Sequence, residues 1–273
     1  MRRRFGQALR LGVARGGIAL VRTSRWGAAP AALLAEHAFA PGAIDSADGV
    51  QAALAAVLDG AGLTGWPVTI VLADDLVRLW QVTPPENTTR LADLEAAAAL
   101  RFQLLYGEPA ANWEVSAAYD PVRPFLAAAM PRMLHGALAR GAGAHRLKAV
   151  EIVPQFVAVL NRFRGAVRPG AWFGVVHDNV LTLGAGDGHA IAAVRAAALP
   201  QVADADWLAA HLAREALRLN LPVPERLQLW GSVPPGWLGL SGLSGHSGCI
   251  QLGAPAQTDW PAAALLAVSG SAA

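Results

Sequence analysis

The chain has 273 residues, of which 54% are apolar and 15% are charged, with a formal net charge of +2. This length suits one large domain or two lobes with a full core, and the small net charge gives no indication of nucleic-acid binding. Its single lysine, Lys148, excludes a Walker-type phosphate loop, and its single cysteine, Cys249, excludes an internal disulfide and a cysteine-based zinc site.

The first 165 residues alternate between short apolar runs and helical patterns. Apolar runs on both sides of Arg15, Gly16 and Gly17 predict an antiparallel meander, because glycine takes a positive φ in tight turns without strain. The predicted elements are, in chain order, strands at 9–14, 18–22 and 33–39, a helix capped by Ser46, strands at 68–73 and 76–82, a helix capped by Asn87 or Thr88 and ended by Gly107, strands at 113–119 and 125–129, a helix at 130–139, a strand at 147–152 and a helix opened by Pro154.

A polar break that contains proline and glycine, residues 164–170, separates this half from a second one. The pattern then restarts in the same order without repeating the sequence, which predicts an α/β protein of two related lobes. The first lobe is predicted at 1–165 with a small inserted subdomain near 88–130, and the second, shortened lobe at 166–273. Its predicted elements are strands at 171–176, 180–183 and 191–197, a helix at 204–219, a final core strand at 227–230, a loop at 236–248 and a flexible tail at 269–273.

Three stretches of the chain resemble the actin-like (ribonuclease H-like) superfamily and, within it, the PilM-type assembly proteins of type IV pili. They are LGVARGGIALV at 11–21, VEIVP at 150–154 and FGVVHDNVLTL at 173–183. The cytoplasmic domains of type II secretion L-type subunits are relatives of that group. The resemblance extends over residues 8–231 and implies a two-lobed actin-like fold of reduced size.

The resemblance implies a nucleotide cleft whose acidic residues this chain has lost. Working members carry an Asp-x-Gly turn in each lobe, but the first aspartate position holds Ala14 and the second turn reads VHDN. Alanine offers no oxygen to magnesium, and each lost charge-assisted contact costs about 1.5–3 kcal/mol. We therefore expect no catalysis, no metal and no cofactor, with a drifted ATP–magnesium site as the alternative. The remains of the cleft are predicted at Gly16, Gly17, Asp178 and Gly231.

The resemblance also implies a partner, the short cytoplasmic N-terminal tail of a single-pass inner-membrane assembly protein. Aromatic and apolar side chains suit a peptide groove, and the helix from residue 91 and the following strand supply several; the alternative is that they form core. This predicts a scaffold that is cytoplasmic and reaches the inner membrane only through its partner, with self-association open. The predicted partner-binding residues are Arg101, Phe102, Leu105, Tyr106 and Trp113.

Two further polar pairs have less specific patterns. Asp74 and Asp75 follow a buried strand, where they form an acidic site or cap a turn. His177 and Asp178 are adjacent on a strand and so point to opposite faces, which argues against an acid–base pair. No histidines have the HExxH spacing of a zinc site.

Three functions remain: a scaffold, an ATP-dependent protein with a drifted site, and the cytoplasmic domain of a secretion L-type subunit.

Overall fold

The computed structural model describes residues 6–24, 30–186, 191–238, 248–253 and 259–271. The strands in this part of the chain are β1 (Gln7–Ala14), β2 (Gly17–Ser24), β3 (Ala32–Ala38), β4 (Pro67–Leu72), β5 (Arg78–Val82), β6 (Trp113–Ala117), β7 (Phe125–Pro131), β8 (Lys148–Pro154), β9 (Trp172–His177), β10 (Val180–Gly186), β11 (Ile191–Ala198), β12 (Leu227–Gly231) and β13 (Cys249–Gln251). The helices are α1 (Ala47–Leu58), α2 (Leu91–Tyr106), α3 (Arg132–Ala144), α4 (Gln155–Phe163), α5 (Ala205–Leu219) and α6 (Ala262–Val268).

Two five-stranded sheets repeat one topology. Their strand orders are β3-β2-β1-β4-β8 and β11-β10-β9-β12-β13. In each sheet the first three strands along the chain form an antiparallel meander, and the first of them also pairs in parallel with a later strand. The predicted order of hairpin strands, helix and further strand in both halves is therefore confirmed, and the mixed α/β class with it.

Alternate residues of β2 belong to two different hydrophobic cores, as the period of a strand requires. Ile18 and Leu20 lie in the large core with the apolar residues of α1 and α3. Ala19 and Val21 lie in a small core with the alanines of α6. The first sheet is thus covered on both faces.

Helix α6 comes from the end of the chain and packs on the first sheet. Gly12 permits its close approach, because a Cβ at that position would lie 1.9 Å from the backbone oxygen of Ala263. The guanidinium of Arg10 donates hydrogen bonds to the backbone oxygens of Ala267 and Ser269, and Ser269 is fully buried. The prediction of a flexible tail at 269–273 is therefore wrong at Ser269, and residues 272–273 lie outside the described ranges. The last helix of the predicted second lobe, 166–273, packs on the first sheet instead.

The small inserted subdomain is a three-stranded sheet of order β5-β7-β6 covered by α2. One face of this sheet packs on α2 through aromatic residues such as Trp80 and Trp113, and the other face joins the large core through Leu79 and Met130. The helix α2 is therefore the outermost layer. The subdomain begins at β5, earlier in the chain than residue 88.

The two lobes share one continuous core at the start of α4. Phe156 on α4 packs with Phe173 on β9, with a distance of 5.5 Å between ring centroids. Both belong to the large core, together with Val175, Val194 and Trp230 of the second half. This buried apolar contact contributes to holding the two lobes together.

Several predicted boundaries are corrected by the structure. The helix α2 follows Arg90, which makes no side-chain cap, and neither Asn87 nor Thr88 caps it. Strand β7 continues to Pro131, so α3 begins at Arg132 instead of residue 130. Strand β12 is not the final strand, because β13 pairs with it in parallel. Residues 239–247 of the predicted loop lie outside the described ranges, and none of the described helices is long and apolar enough to cross a membrane.

Candidate functional site

A cavity of about 250 Å³ lies between the two lobes. Four segments meet there: the end of β1 with its turn, the residues after β4, the start of α4, and the hairpin from β9 to β10. Such a cleft at the ends of parallel strands is where α/β proteins most often bind ligands. The cavity is lined by Ala14, Arg15, Ala73, Asp74, Asp75, Gln155, Val175, His177, Asp178, Asn179, Val180 and Thr182.

Asp74 is the buried carboxyl group of this cavity. It lies in the 3₁₀ turn Asp74–Leu76 that follows β4, and its Oδ1 accepts a hydrogen bond of 2.9 Å from the backbone N–H of Phe156. The Thr182 side chain also hydrogen-bonds to it. Burial raises the pKa of Asp74 to about 7, an effect that these hydrogen bonds oppose and the charge of Asp75 reinforces. Asp74 therefore titrates near neutral pH.

Arg15 forms the rim of the cavity in the turn between β1 and β2. Its Nε lies 2.9 Å from Oδ2 of Asp75, and its Nη1 lies 3.8 Å from Oδ1 of Asp45. The Arg15 side chain is 56% exposed, so these ion pairs contribute little to stability. These ion pairs nevertheless engage the guanidinium of Arg15, which would otherwise be free to bind an anion in the cleft.

Two buried side chains of the cavity each have a polar atom without a hydrogen-bond partner in the described structure, Oε1 of Gln155 and Nε2 of His177. Gln155 is 1% exposed and donates from Nε2 to the hydroxyl of Ser269, which links the cleft to the end of α6. His177 is 8% exposed, and burial lowers its pKa while Asp178 and Asp75 oppose the change. A neutral imidazole and an amide oxygen can bind water or the hydroxyl or amine of a small ligand.

The predicted remains of a nucleotide cleft are only partly brought together. Asp178 lines the cavity and takes a left-handed φ of 52°, so the aspartate itself provides the turn that glycine gives in working members. Gly16 lies in the adjacent turn and Gly17 begins β2; neither lines the cavity, and neither has the predicted positive φ. Gly17 is instead needed for packing, since a Cβ there would lie 2.8 Å from the oxygen of His37.

Gly231 lies at the end of β12, paired with Val176, and does not line the cavity. Its φ is 106°, and a Cβ at this position would lie 1.9 Å from the backbone oxygen of Val176. Both properties demand glycine for the path of the backbone. The structure therefore gives Gly231 a packing role next to β9.

The residues predicted to bind a partner on α2 and β6 do not share a surface. Phe102 is fully buried, and its ring lies 5.2 Å from Trp80 and 5.4 Å from Trp113 between centroids. Tyr106 donates a hydrogen bond of 2.9 Å to the oxygen of Leu79, and Trp113 is 8% exposed. Phe102 and Trp113 belong to the core of the subdomain, as the alternative interpretation had it, and Tyr106 is partly buried against that core. The prediction of Phe102 and Trp113 as contact residues is therefore corrected.

Arg101 and Leu105 are the two members of that set that lie on the surface of α2. Leu105 is 45% exposed. They are the most exposed residues of the predicted set, and Tyr106 is partly exposed beside them.

Sequence reasoning missed Gln155 and Thr182 and gave Asp74 a lesser role. The sequence pattern predicts Asp74 as part of an acidic pair or a turn cap, whereas it caps the start of α4 and contacts the second lobe. The available signal was its position directly after a buried strand. Gln155 had a similar signal, because it follows Pro154 at the start of a helix.

A second cavity, of about 260 Å³, lies beside the end of α1 and the end of α3. Its histidine, His145, has both ring nitrogens engaged, with the Gly141 oxygen at 2.8 Å and Oδ1 of Asp59 at 2.9 Å. No side chain with an unpartnered buried atom lines it among the described residues. Nor do the described residues include any group of three or more histidine, cysteine or acidic side chains that could hold a metal ion. The cleft between the lobes is therefore the better candidate site.

Two sheets of the same strand order, joined by a continuous core and separated by a cleft, define the actin-like fold, and comparison with solved structures confirms it. The cytoplasmic domain of EpsL, an inner membrane component of the type II secretion system of Vibrio cholerae, has a TM-score of 0.57 and 13% identity, over 95% of this chain and 92% of that chain. A Bacteroides thetaiotaomicron protein with an actin-like ATPase fold and unknown function has a TM-score of 0.57 and 12% identity, over 84% of each chain.

The PilM–PilN type IV pilus biogenesis complex gives a TM-score of 0.47 and 18% identity, over 79% of this chain and 66% of that chain. No protein-family model and no curated sequence matches the chain. The similarity to the EpsL domain and to the Bacteroides thetaiotaomicron protein, at 12–13% identity, shows the fold alone and confirms the actin-like resemblance of the sequence at that level.

Proposed function

We propose that this chain is a non-catalytic actin-like scaffold of a type IV pilus or related secretion complex, which is cytoplasmic and held at the inner membrane by a membrane partner. The observation that carries the proposal is that three charged groups of the cleft, Arg15, Asp74 and Asp75, are engaged by one another or by neighbouring polar groups. Asp75 pairs with Arg15, and Asp74 binds Phe156 and Thr182.

Magnesium and a nucleoside triphosphate fit the residues of this cleft poorly. Ala14 supplies no oxygen at the turn, and the cavity of about 250 Å³ is smaller than the roughly 300–1,000 Å³ of typical ligand sites. Among the described residues that line the cavity, Asp75 and Asp178 face one cationic side chain, Arg15, a balance that repels phosphates in the absence of a metal. We therefore infer that lobe closure in this chain does not depend on nucleotide.

The assembly context comes from the fold. The EpsL cytoplasmic domain has the same architecture along nearly its whole length and is part of an inner membrane component. From the PilM-type resemblance of the sequence, we propose that the partner of this chain is the cytoplasmic N-terminal tail of a single-pass inner-membrane protein. Arg101 and Leu105 are the exposed residues of the predicted set that would contact it.

A thermal melt tests the first half of the proposal. The purified chain is heated in magnesium chloride alone and in magnesium chloride with about 5 mM ATP. A binder at about 100 times its dissociation constant gains roughly 2.7 kcal/mol, which raises Tm by several degrees. We expect no change in Tm; a rise that requires both magnesium and ATP would instead establish the drifted ATP site.

Photo-crosslinking tests the second half. A photoreactive amino acid replaces Leu105, and the matched control replaces Leu217, which is 84% exposed on α5. After irradiation of cells, we expect the position 105 product to contain the N-terminal segment of a single-pass inner-membrane protein. Crosslinks of equal yield at both positions, or to soluble proteins alone, would contradict a specific membrane partner at this surface.

A further inference from the structure

Gln155, at the start of α4, carries a hydrogen-bond acceptor that the described part of the protein leaves unpaired. Its side chain is 1% exposed, and its Nε2 donates to Oγ of Ser269 over 3.0 Å. The Ser269 hydroxyl uses its one hydrogen to donate to the backbone oxygen of Leu265, so its oxygen can only accept from the amide. This network fixes the orientation of the amide and makes Oε1 the atom without a partner.

A second unpaired polar atom belongs to the other lobe. Nε2 of His177, at the end of β9, has no hydrogen-bond partner among the described residues, and the side chain is 8% exposed. Burial lowers the pKa of His177, so the ring is neutral near pH 7, and Nε2 is an acceptor in one of the two neutral tautomers. Both residues line the cavity. Because native proteins rarely leave buried polar atoms unpaired, two of them beside one cavity indicate a binding site for a ligand that donates hydrogen bonds.

The charges around this cavity favour a ligand with a positive charge. The carboxylates of Asp75 and Asp178 both act on His177, where they oppose the lowering of its pKa. Among the described residues that line the cavity, Arg15 is the one permanent cation, and it is already paired with Asp75. A cation close to His177 is therefore attracted by the neighbouring carboxylates. Positive charge and several donors together describe an ammonium group, which has three N–H donors and no acceptor.

We propose that the cleft binds the primary ammonium group of a small organic molecule, held between Oε1 of Gln155 in the first lobe and Nε2 of His177 in the second. An alcohol has one donor and can satisfy one of these two atoms, and a quaternary ammonium ion has no donor. A metal ion is a poorer fit, since the described residues include no group of three or more histidine, cysteine or acidic side chains that could hold it. The proposal goes beyond the scaffold role and does not depend on it.

The cavity limits the size of the ligand and its affinity. A volume of about 250 Å³ corresponds to about eight water molecules at roughly 30 Å³ each, so a molecule of about five to eight non-hydrogen atoms fits. Both unpaired atoms are shielded from solvent, so the ligand must shift neighbouring side chains before it reaches them. A ligand of this size is expected to bind with a dissociation constant on the order of 1 mM.

NMR titration of the full chain with butylammonium tests the proposal, at about pH 7.5 and constant ionic strength. The matched control compounds are 1-butanol and tetramethylammonium, which have as many non-hydrogen atoms; the first has one donor and no charge, and the second has the charge and no donor. We expect saturable shifts of the Gln155 side-chain amide and the His177 ring, with at least tenfold weaker binding of both controls. Failure to saturate by about 50 mM butylammonium, or less than tenfold selectivity over either control, overturns the proposal.

Substitution of the two unpaired side chains tests the location of the site. His177→Phe keeps a planar ring without its nitrogens, and Gln155→Met keeps the length of the side chain without its amide. Each is expected to weaken butylammonium binding at least tenfold, whereas His135→Phe, on α3 outside the cavity, should leave it unchanged. Circular dichroism checks the fold of each variant, and the wild-type titration decides the proposal by itself if one of them does not fold.

Gln155→Met also removes the hydrogen bond to Ser269, so a further variant separates the two roles of Gln155. Ser269→Ala removes that bond and keeps Oε1, and it is expected to weaken binding less than Gln155→Met does. An equal loss in these two variants would show that Gln155 acts through the docking of α6, and it would overturn a direct contact between the amide oxygen and the ligand.

Discussion

The carboxyl group of Asp74 accepts a hydrogen bond of 2.9 Å from the backbone N–H of Phe156. This bond caps the first turn of α4, which leads from the first lobe to the second. The same carboxyl binds Thr182 on β10 of the second lobe. One buried side chain thus joins the turn after β4, the start of α4 and the second sheet, at the position where the lobes meet.

Replacing Asp74 by asparagine is expected to stabilise the chain at high pH relative to wild type. Burial raises the pKa of Asp74 from 3.8 to about 7 in the folded state. Its contribution to stability is therefore fully present below about pH 4 and is lost by the time the pH has risen through 7, because the unfolded chain ionises over this range while the folded state keeps its proton. The asparagine amide of the Asp74→Asn variant keeps an acceptor for the Phe156 N–H and does not ionise. The difference in free energy of unfolding between Asp74→Asn and wild type should be at least about 1 kcal/mol more favourable at pH 8 than at pH 5.

Denaturant unfolding of both proteins at four values between pH 5 and pH 8 gives this difference directly. The matched control is Asp75→Asn, which removes the neighbouring carboxylate that pairs with Arg15 on the rim. A difference for Asp74→Asn that stays constant with pH would show that Asp74 does not titrate in this range.

A methyl group at Gly12 is expected to displace α6. The added Cβ would lie 1.9 Å from the oxygen of Ala263, a backbone atom that cannot move without shifting the helix. Gly12→Ala should lower the free energy of unfolding by about 1–3 kcal/mol, and hydrogen exchange should rise first in α6. Gly16→Ala is the control, since nothing lies within 4 Å of its added Cβ; it should be neutral or stabilise by up to about 1 kcal/mol. Equal losses in the two variants would contradict the docking of α6 on the first sheet.

The elements that the sequence predicted well are those set by local patterns. The hairpin of β1 and β2 follows from two apolar runs around Gly16, and α5 follows from leucines at helical spacing after its cap, Asp204. Asp204 indeed accepts a hydrogen bond from the N–H of Trp207. These signals depend on residues close together in the chain and can be read without knowing the fold.

Helix α6 could not be predicted from local sequence patterns. It has only 7 residues, mostly alanine, and helices shorter than about 12–15 residues are marginal alone. Its stability comes from packing on β1 and β2, which lie at the other end of the chain. The contacts of Asp74 with Phe156 and Thr182 likewise join residues that are distant in the sequence, so its role in the cleft follows from the tertiary fold alone.

The sequence predicted a peptide groove from the aromatic residues on α2 because residue types alone do not show which side chains face the core. Phe102 and Leu104 are both apolar and two positions apart, and the residue types do not say which of them faces the core. The structure places Phe102 inside and Leu104 outside. The apolar stripes on both sides of α2 make the helical period ambiguous.

Truncation of Phe102 should destabilise the chain far more than truncation of Leu104. Phe102→Ala removes a fully buried ring that contacts Trp80, Tyr106 and Trp113, and should lower the free energy of unfolding by about 3–5 kcal/mol. Leu104→Ala should change it by less than about 0.5 kcal/mol, because this leucine is 69% exposed. Urea unfolding at low micromolar concentration measures both. A near-neutral Phe102→Ala would make Phe102 a candidate partner contact again.

The ion pair of His145 and Asp59 should stabilise the chain at acidic pH alone. The pKa of His145 is raised by the hydrogen bond to the Gly141 oxygen and by Asp59, against burial. A raised histidine pKa gives stability that is present below about pH 6.5 and is lost as the pH rises through the folded-state pKa. Because the Asp59 side chain is 72% exposed, Asp59→Asn should cost only about 0.2–1 kcal/mol at pH 5.5 and nothing at pH 9. NMR titration of the His145 ring should give a pKa above 6.5 in wild type and a lower one in the variant, and about 1 M salt should shrink the difference.

An equal loss of stability at both pH values would show that Asp59 acts through packing or a neutral hydrogen bond instead of its charge.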